Sequence, residues 1–337
     1  MPNQNRWTRR EALGALGAGV LLPVLRESRA ADARSARNII DVHAHYQPPA
    51  IRGLNLPGPM NAWDLQKQID DMDAAGVTRA MLSVTTPGVP ATGETGRRIA
   101  RESNEYAARL SADHGHRFGS FTCVPMDDID AALKEVAYGF DVLKAQGVGL
   151  FTSYAGRWLG DAQFDPLFAE FERRKAIVYV HPTSAACCTR LIPEVADTLI
   201  EYGTDTTRAI ASYVFRGAAR RFPNVRMIWS HSAGTMPYLI ERFEGAERSE
   251  AAKAQMPDGF RASIGRFWYD IAQASNPVST QALRSVVPME RIVFGTDYPF
   301  RTSLDHVRGL ESGKVFQPHE LDAIYRGNVG ARLPELV

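Results

Sequence analysis

Cysteine is scarce in this sequence, with three residues, Cys123, Cys187 and Cys188, in a chain of 337. They are too few and too unevenly spaced for a disulfide framework, and no Cys-X-X-Cys motif occurs. An excess of one charge is also missing, because the formal net charge is +1. This balance argues against a nucleic-acid-binding surface. With 45% hydrophobic and 23% charged residues, the composition is that of an ordinary globular protein.

The chain has no apolar run long enough to span a bilayer comfortably. Its apolar N-terminal stretch, residues 12–25, follows the pair Arg9 and Arg10 and precedes a segment that ends in Ala30. This order is typical of a twin-arginine export signal. An amphipathic helix or an uncleaved anchor is the alternative. We expect residues 1–30 to be a signal peptide, cleaved after Ala30 or Ala33, and the mature chain to be periplasmic or secreted.

Strand and helix patterns alternate along the remaining chain. Eight short apolar runs predict buried parallel strands, at residues 39–43, 79–84, 118–124, 148–151, 177–181, 226–230, 267–271 and 291–295. Helical patterns lie between them, and residues 193–221 predict two helices with a break near Gly203. The first strand is not followed by the Gly-rich turn of an open doubly wound sheet. The prediction is an α/β protein with one TIM-like (β/α)₈ barrel over residues 31–337.

Metal-ligand side chains occur at the ends of four of these strands. His43 and His45 are two residues apart, so a strand places both on one face. His181, His231 and Asp297 follow the fifth, sixth and eighth strands. In a (β/α)₈ barrel these ends meet at one mouth, where active sites lie. Imidazoles with a carboxylate predict one divalent metal, with Zn²⁺ as the first expectation and Mn²⁺ or Fe²⁺ as alternatives.

Several short motifs resemble the amidohydrolase superfamily. They are Asp-Val-His-Ala-His at 41–45, Val-His-Pro at 180–182, Trp-Ser-His-Ser-Ala-Gly at 229–234 and Phe-Gly-Thr-Asp-Tyr-Pro-Phe at 294–300. They are most similar to its branch of metal-dependent, non-oxidative decarboxylases, typified by aminocarboxymuconate semialdehyde decarboxylase. Residues 73–77, 103–105, 159–161 and 205–209 further resemble the 6-methylsalicylate decarboxylase-like members. The resemblance covers about residues 38–333.

The resemblance implies roles for individual residues. It implies that His43, His45, His181 and Asp297 bind the metal and that His231 is the acid/base residue. In a decarboxylation, Asp297 or His231 would deliver a proton to the carbon that loses CO₂. Two-metal amidohydrolases commonly bridge their metals with a modified lysine on strand four. Strand four of this sequence has no lysine, so a single metal is expected.

The implied reaction is decarboxylation of an aromatic or unsaturated acid similar to 6-methylsalicylate. Hydrolysis of a C–N or C–O bond by metal-activated water, as in an amidohydrolase or lactonase, is the alternative, and a non-enzymatic metal- or ligand-binding protein is a third hypothesis. Residues that could contact the substrate are Arg52, in the Pro-rich loop 46–61, and the aromatics Tyr154, Trp158, Tyr298 and Phe300. A surface position is the better explanation of Arg52, and plain packing explains each aromatic residue at least as well.

The expected partner is a small-molecule carboxylic acid. We expect no nucleic-acid partner and no stable membrane insertion after processing, and we allow for a homodimer.

Overall fold

Eight parallel strands form a barrel that is surrounded by helices, as predicted. The computed structural model describes residues 37–52 and 58–337, so the predicted signal at 1–30 lies outside the described residues. The strands are β1 (Ile39–His45), β2 (Val77–Ser83), β3 (Phe118–Thr122), β4 (Gly147–Phe151), β5 (Ile177–His181), β6 (Arg226–Trp229), β7 (Trp268–Asp270) and β8 (Ile292–Val293). They are neighbours in this order. Backbone bonds close the barrel, with the N–H of Val42 donating to the Phe294 carbonyl at 3.0 Å.

Helices follow the strands in the alternation that the sequence predicts. They are α1 (Leu65–Ala75), α2 (Gly93–Asp113), α3 (Ile129–Asp141), α4 (Asp165–Arg174), α5 (Asp197–Phe215), α6 (Ala218–Arg221), α7 (Ile240–Ala246), α8 (Glu250–Gln255), α9 (Phe260–Ile264), α10 (Pro277–Val286), α11 (Ser303–Gly313), α12 (Pro318–Asp322) and α13 (Asn328–Arg332). The Asp64 carboxylate caps α1 by accepting the Lys67 N–H, and Gly76 ends that helix at φ 83°. Such caps satisfy backbone groups that a helix end leaves unpaired.

The predicted break near Gly203 is wrong. Helix α5 runs through Gly203 without interruption, and the chain turns instead at Gly217, which has φ 75°. Gly203 lies against the loop that follows β6, since a Cβ built on Gly234 would meet the Gly203 carbonyl oxygen. A Cβ on Gly203 itself would make only ordinary contacts, 3.8 Å from Gly234 Cα and 3.9 Å from Thr235 Cγ2, so Gly234 is the glycine that this close packing requires.

The barrel interior is filled with side chains below the mouth. The rings of Phe121 and Tyr179 are stacked with their centroids 5.2 Å apart, and Tyr179 also contacts the ring of His43 at 5.1 Å. Tyr179 and Ile228 are fully buried. The interior is therefore a packed core that supports the mouth from below. None of the helices within residues 37–52 and 58–337 has the length and apolarity that crossing a bilayer requires.

Candidate metal centre

The five predicted site residues meet at the carboxyl ends of the strands. His43 and His45 lie within β1, and His181 is the last residue of β5. His231 and Asp297 follow β6 and β8 with φ of 54° and 62°, in the left-handed region that non-glycine residues seldom adopt. The Asp297 N–H donates to the His43 carbonyl at 2.8 Å. Strained backbone of this kind persists only where the surrounding structure imposes it, and it is concentrated at functional sites.

Four of these residues could hold one cation. Ligand atoms of His43, His45, His181 and Asp297 all lie within 4.8 Å of one another, and all four side chains are buried. Asp297 Oδ1 lies 2.9 Å from His45 Nε2, 3.2 Å from His43 Nε2 and 3.7 Å from His181 Nε2. The predicted ligand set is thus brought together around one carboxylate oxygen.

The other ring nitrogen of each histidine faces an acceptor. The Nδ1 atom of His43 lies 2.8 Å from Asp270 Oδ2, and that of His181 lies 2.8 Å from the Pro182 carbonyl. The Nδ1 atom of His45 lies 3.2 Å from the Ser83 carbonyl. Because an ionised carboxylate or a carbonyl only accepts, each neutral ring carries its proton on Nδ1. All three Nε2 lone pairs are left for a metal, and such outer partners orient ligating histidines.

A cation fits this donor set. With a proton on each Nδ1, His43 Nε2 and His45 Nε2 lie only 3.1 Å apart, which requires a positive charge beside them, either a metal ion or a second proton on His43. His181 Nε2 is buried and has no hydrogen-bond partner among the described residues. Unpaired buried acceptors are costly unless something satisfies them. Three imidazoles and one carboxylate are ligands that divalent transition metals accept.

The charges of the site are strongly coupled. Burial acts to lower the pKa of His43, but the carboxylates of Asp270 and Asp297 outweigh it and raise that pKa to about 10. Burial lowers the pKa of His181 to about 3. Burial opposes ionisation of Asp297, yet His43 and hydrogen bonds from the neighbouring histidines hold its pKa well below the usual range. Asp297 therefore remains an anionic ligand, and a metal that binds His43 Nε2 must displace a proton.

His231 lies beside the ligand cluster and faces the second oxygen of Asp297. Its Nε2 atom is 3.4 Å from Asp297 Oδ2, and its backbone N–H donates to Asp270 Oδ1 at 2.8 Å. Its side chain is 12% exposed, more than any of the three ligand histidines. A histidine on the open side of the ligand set can exchange a proton with a bound molecule.

The predicted substrate-side residues occupy different places. Phe300 contacts the site, with its ring centroid 6.1 Å from that of His45. The Tyr154 hydroxyl accepts the Phe151 N–H at 2.7 Å, and the Trp158 indole donates to Asp205 at 2.7 Å. Neither of these two contacts involves a metal-ligand residue.

Tyr298 and Arg52 also have no described side-chain contact with the four ligands. The Tyr298 carbonyl accepts the His45 N–H. Burial, with the Asp71 carboxylate nearby, raises the pKa of the Tyr298 phenol to about 12. Arg52 is exposed at the edge of residues 53–57, which lie outside the described residues. Contact of Arg52 with a substrate stays a prediction.

Four residues of the site were not found from the sequence. Asp270 is the last residue of β7 and contacts His43, and Gln273 follows that strand and contacts Asp297. The rings of Phe151 and Tyr202 lie 6.0 Å and 5.9 Å from that of His181. Asp270 carried a usable signal, since it is a carboxylate at the end of an apolar strand. Tyr202 carried none, because it lies within a long helix.

Comparisons with known proteins agree with this geometry. The amidohydrolase family matches residues 40–328. A decarboxylase named yanB from Aspergillus niger is 32% identical over 82% of this chain and 82% of its own. A 6-methylsalicylic acid decarboxylase from Penicillium expansum is 32% identical over 77% of this chain and 84% of its own. A crystal structure of 5-carboxyvanillate decarboxylase from Novosphingobium aromaticivorans, complexed with manganese and a nitrobenzoic acid, has TM-score 0.77 and 17% identity, and covers 89% of this chain and 97% of its own.

Proposed function

Because the chain belongs to the amidohydrolase family, we propose that it is a metal-dependent carboxy-lyase that removes CO₂ from an aromatic acid without oxidation. One observation carries this proposal: three Nε2 atoms and one carboxylate oxygen converge beside a partly exposed histidine. Two relatives at 32% identity, which are named decarboxylases, support it.

His43, His45, His181 and Asp297 would hold the metal. When bound, the cation supplies a positive charge that fixes the substrate carboxylate and an adjacent hydroxyl. As the C–CO₂ bond breaks, its electron pair stays on the ring carbon, which then takes a proton. His231 supplies that proton, either directly or through Asp297 Oδ2, which lies 3.4 Å from its Nε2 atom. The product is the arene with hydrogen in place of the carboxylate, together with CO₂.

Aromatic side chains around the ligand cluster suit an aromatic substrate. Phe151, Tyr202 and Phe300 each place a ring within 5.9–6.1 Å of a ligand histidine ring. Their faces and edges can pack against a flat substrate ring, which gains contact energy from offset or edge-to-face geometry. We propose a salicylate-type acid, with a hydroxyl next to the carboxylate, as the substrate class.

The experiment is incubation of metal-loaded protein with 6-methylsalicylate, salicylate and 2,6-dihydroxybenzoate while CO₂ release is followed. At least one acid should lose CO₂ with the wild type and none with His181→Ala, which removes one ligand. Failure of every hydroxybenzoate with fully loaded protein would contradict the proposal.

For the metal we propose Zn²⁺ as the first choice and Mn²⁺ as the second, since three imidazoles with one carboxylate suit both. Metal analysis of purified protein, followed by reconstitution of the chelated protein with each metal, separates the two. Activity restored by neither would contradict this choice.

We also propose export through the twin-arginine pathway, on the strength of Arg9, Arg10 and the mild apolar stretch after them. Replacing both arginines by lysine should retain the precursor inside the cell. Mass spectrometry of the exported wild type should place its N-terminus after Ala30 or Ala33. Export that is unchanged by the double replacement would contradict the proposal.

A homodimer is the proposed assembly, supported by the exposed apolar side chains Leu191, Leu199 and Tyr238. Light scattering during gel filtration should give twice the chain mass, and the mass of one chain would contradict it.

A further inference from the structure

The two oxygens of Asp297 have different neighbours. Oδ1 faces the ring nitrogens of the ligand histidines, at 2.9 Å from His45 Nε2. Oδ2 is turned away from them, and the side-chain amide of Gln273 donates to it from Nε2 at 3.2 Å. A carboxylate that binds a cation through one oxygen leaves the other free to accept, and a donor at that oxygen holds the group in this orientation.

Gln273 is itself held in place from the opposite side. Its backbone N–H donates to His306 Nε2 at 3.0 Å, and His306 Nδ1 donates to the Thr302 carbonyl at 2.9 Å. The His306 ring is fully buried. A ring that donates at Nδ1 and accepts at Nε2 is neutral and has one defined tautomer.

The backbone of Gln273 is also unusual. Its φ is 53°, in the left-handed region. A non-glycine residue keeps this conformation only where neighbouring contacts impose it, and here the imposed turn aims the amide at Asp297. The Gln273 side chain is nevertheless exposed. An exposed side chain with one specific contact to a buried ligand is better explained by that contact than by core packing.

We propose that Gln273 is a positioning residue for the metal centre, which keeps Oδ1 of Asp297 turned toward the three histidines, and that His306 acts through Gln273. The metal site itself rests on the proposed function, but the inference concerns metal affinity, which can be measured without a substrate. Loss of an outer partner of this kind typically lowers metal affinity or activity about 10–100-fold.

The test is titration of the chelated full-length protein with Mn²⁺, in which electron paramagnetic resonance counts free and bound ions. Gln273→Met removes the amide while it keeps the length of the side chain, and we expect about 10–100-fold weaker binding. Gln281→Met is the matched control, because Gln281 is an exposed glutamine on α10. It should bind Mn²⁺ as the wild type does.

His306→Leu should also weaken Mn²⁺ binding, and adding it to Gln273→Met should cause no further loss, since the two residues act in series. Melting of each chelated variant controls for folding. Gln273→Met should melt with the wild type, because its side chain is exposed. This readout separates positioning from a merely structural role.

Wild-type Mn²⁺ affinity in Gln273→Met would overturn the inference, as would an equal loss in Gln281→Met. A loss of affinity that is matched by a lower melting temperature of the chelated protein would overturn it as well. If none of the hydroxybenzoates is decarboxylated but Gln273→Met still weakens Mn²⁺ binding, the proposed reaction fails and this inference stands.

Discussion

Replacing Asp270 by asparagine should weaken metal binding while leaving the shape of the site unchanged. Asp270 is fully buried. Its Oδ2 accepts from His43 Nδ1 at 2.8 Å, and its Oδ1 accepts the N–H groups of His231 at 2.8 Å and Ala272 at 3.0 Å. Asparagine has nearly the same shape but only one acceptor oxygen. If that oxygen keeps the two N–H groups, the amide NH₂ faces His43 Nδ1. Because two donors cannot face each other, the His43 proton must then move from Nδ1 to Nε2, the atom that faces the metal.

The expected loss is about 10–100-fold in metal affinity, the usual effect of removing an outer partner. At about 1.4 kcal/mol for each tenfold change, this is roughly 1.4–2.8 kcal/mol of binding free energy. The opposite orientation of the amide would set its NH₂ against two buried backbone donors. Each group left unpaired costs about 1–3 kcal/mol of folding stability, so the first orientation is expected.

The assay is competition of the protein with a colorimetric chelator for Zn²⁺, together with urea unfolding of the chelated protein. Asp130→Asn is the control, because Asp130 is exposed on α3. Unchanged Zn²⁺ affinity and unchanged stability in Asp270→Asn would refute the reasoning about the His43 proton.

Three further predictions follow from individual contacts. His231→Ala should slow decarboxylation by about 10²–10⁴-fold, since it removes an acid/base group, while metal content stays at the wild-type level; loss of metal would contradict this role. Gly295→Ala should lower the free energy of unfolding in urea by about 1–3 kcal/mol, as overpacking does. The reason is that its Cβ would lie 2.8 Å from Asp270 Cβ and 2.9 Å from His43 Cβ. Gly245→Ala is the control, because a Cβ on Gly245 meets nothing within 4 Å. Burial lowers the pKa of His306 from 6.5 to about 4. The stability that its neutral form provides is present above pH 6.5, and about 3 kcal/mol of it is lost as the pH falls toward 4. His306→Gln should therefore flatten the dependence of unfolding free energy on pH between 6.5 and 4, and an unchanged slope would contradict the assignment.

The barrel could be predicted because its strands are buried on both faces. Such strands are near-continuous apolar runs, so β5 (Ile177–His181) was predicted with its observed bounds. Strand bounds differ by three residues both at β2, predicted as 79–84 and observed as Val77–Ser83, and at β8, predicted as 291–295 and observed as Ile292–Val293. Beyond Val293 the backbone no longer pairs regularly with β7, and it bonds to β1 instead, which places Asp297 at the mouth of the barrel. Because these contacts are long-range, no local sequence pattern marks the end of the strand.

Glycine within α5 shows why local signals fail where distant segments pack together. Gly203 was expected to end a helix, yet its carbonyl accepts the hydroxyl of Thr207 and the N–H of Thr235. Thr235 lies in the loop after His231. These contacts hold the helix against that loop, and a single sequence cannot distinguish a glycine at such a packed position from one that ends a helix.

The metal ligands could be predicted because barrel topology brings strand ends to one mouth whatever the helices between them do. Their outer partners could not. Asp270 meets His43 across 227 positions of the chain, and which of several acidic residues does so depends on the register of β7 and β8. Gln273 has no ligand chemistry of its own, and its role depends on a single contact with Asp297.

The central claim is that His43, His45, His181 and Asp297 hold a metal that supports loss of CO₂ from an aromatic acid. The most direct measurement is mass and NMR analysis of the product formed from 6-methylsalicylate by metal-loaded protein in D₂O. The account predicts a phenol with one deuterium on the carbon that carried the carboxylate, formed with an equal amount of CO₂. Fully metal-loaded protein that releases no CO₂, or a product that carries oxygen from the solvent, would contradict it.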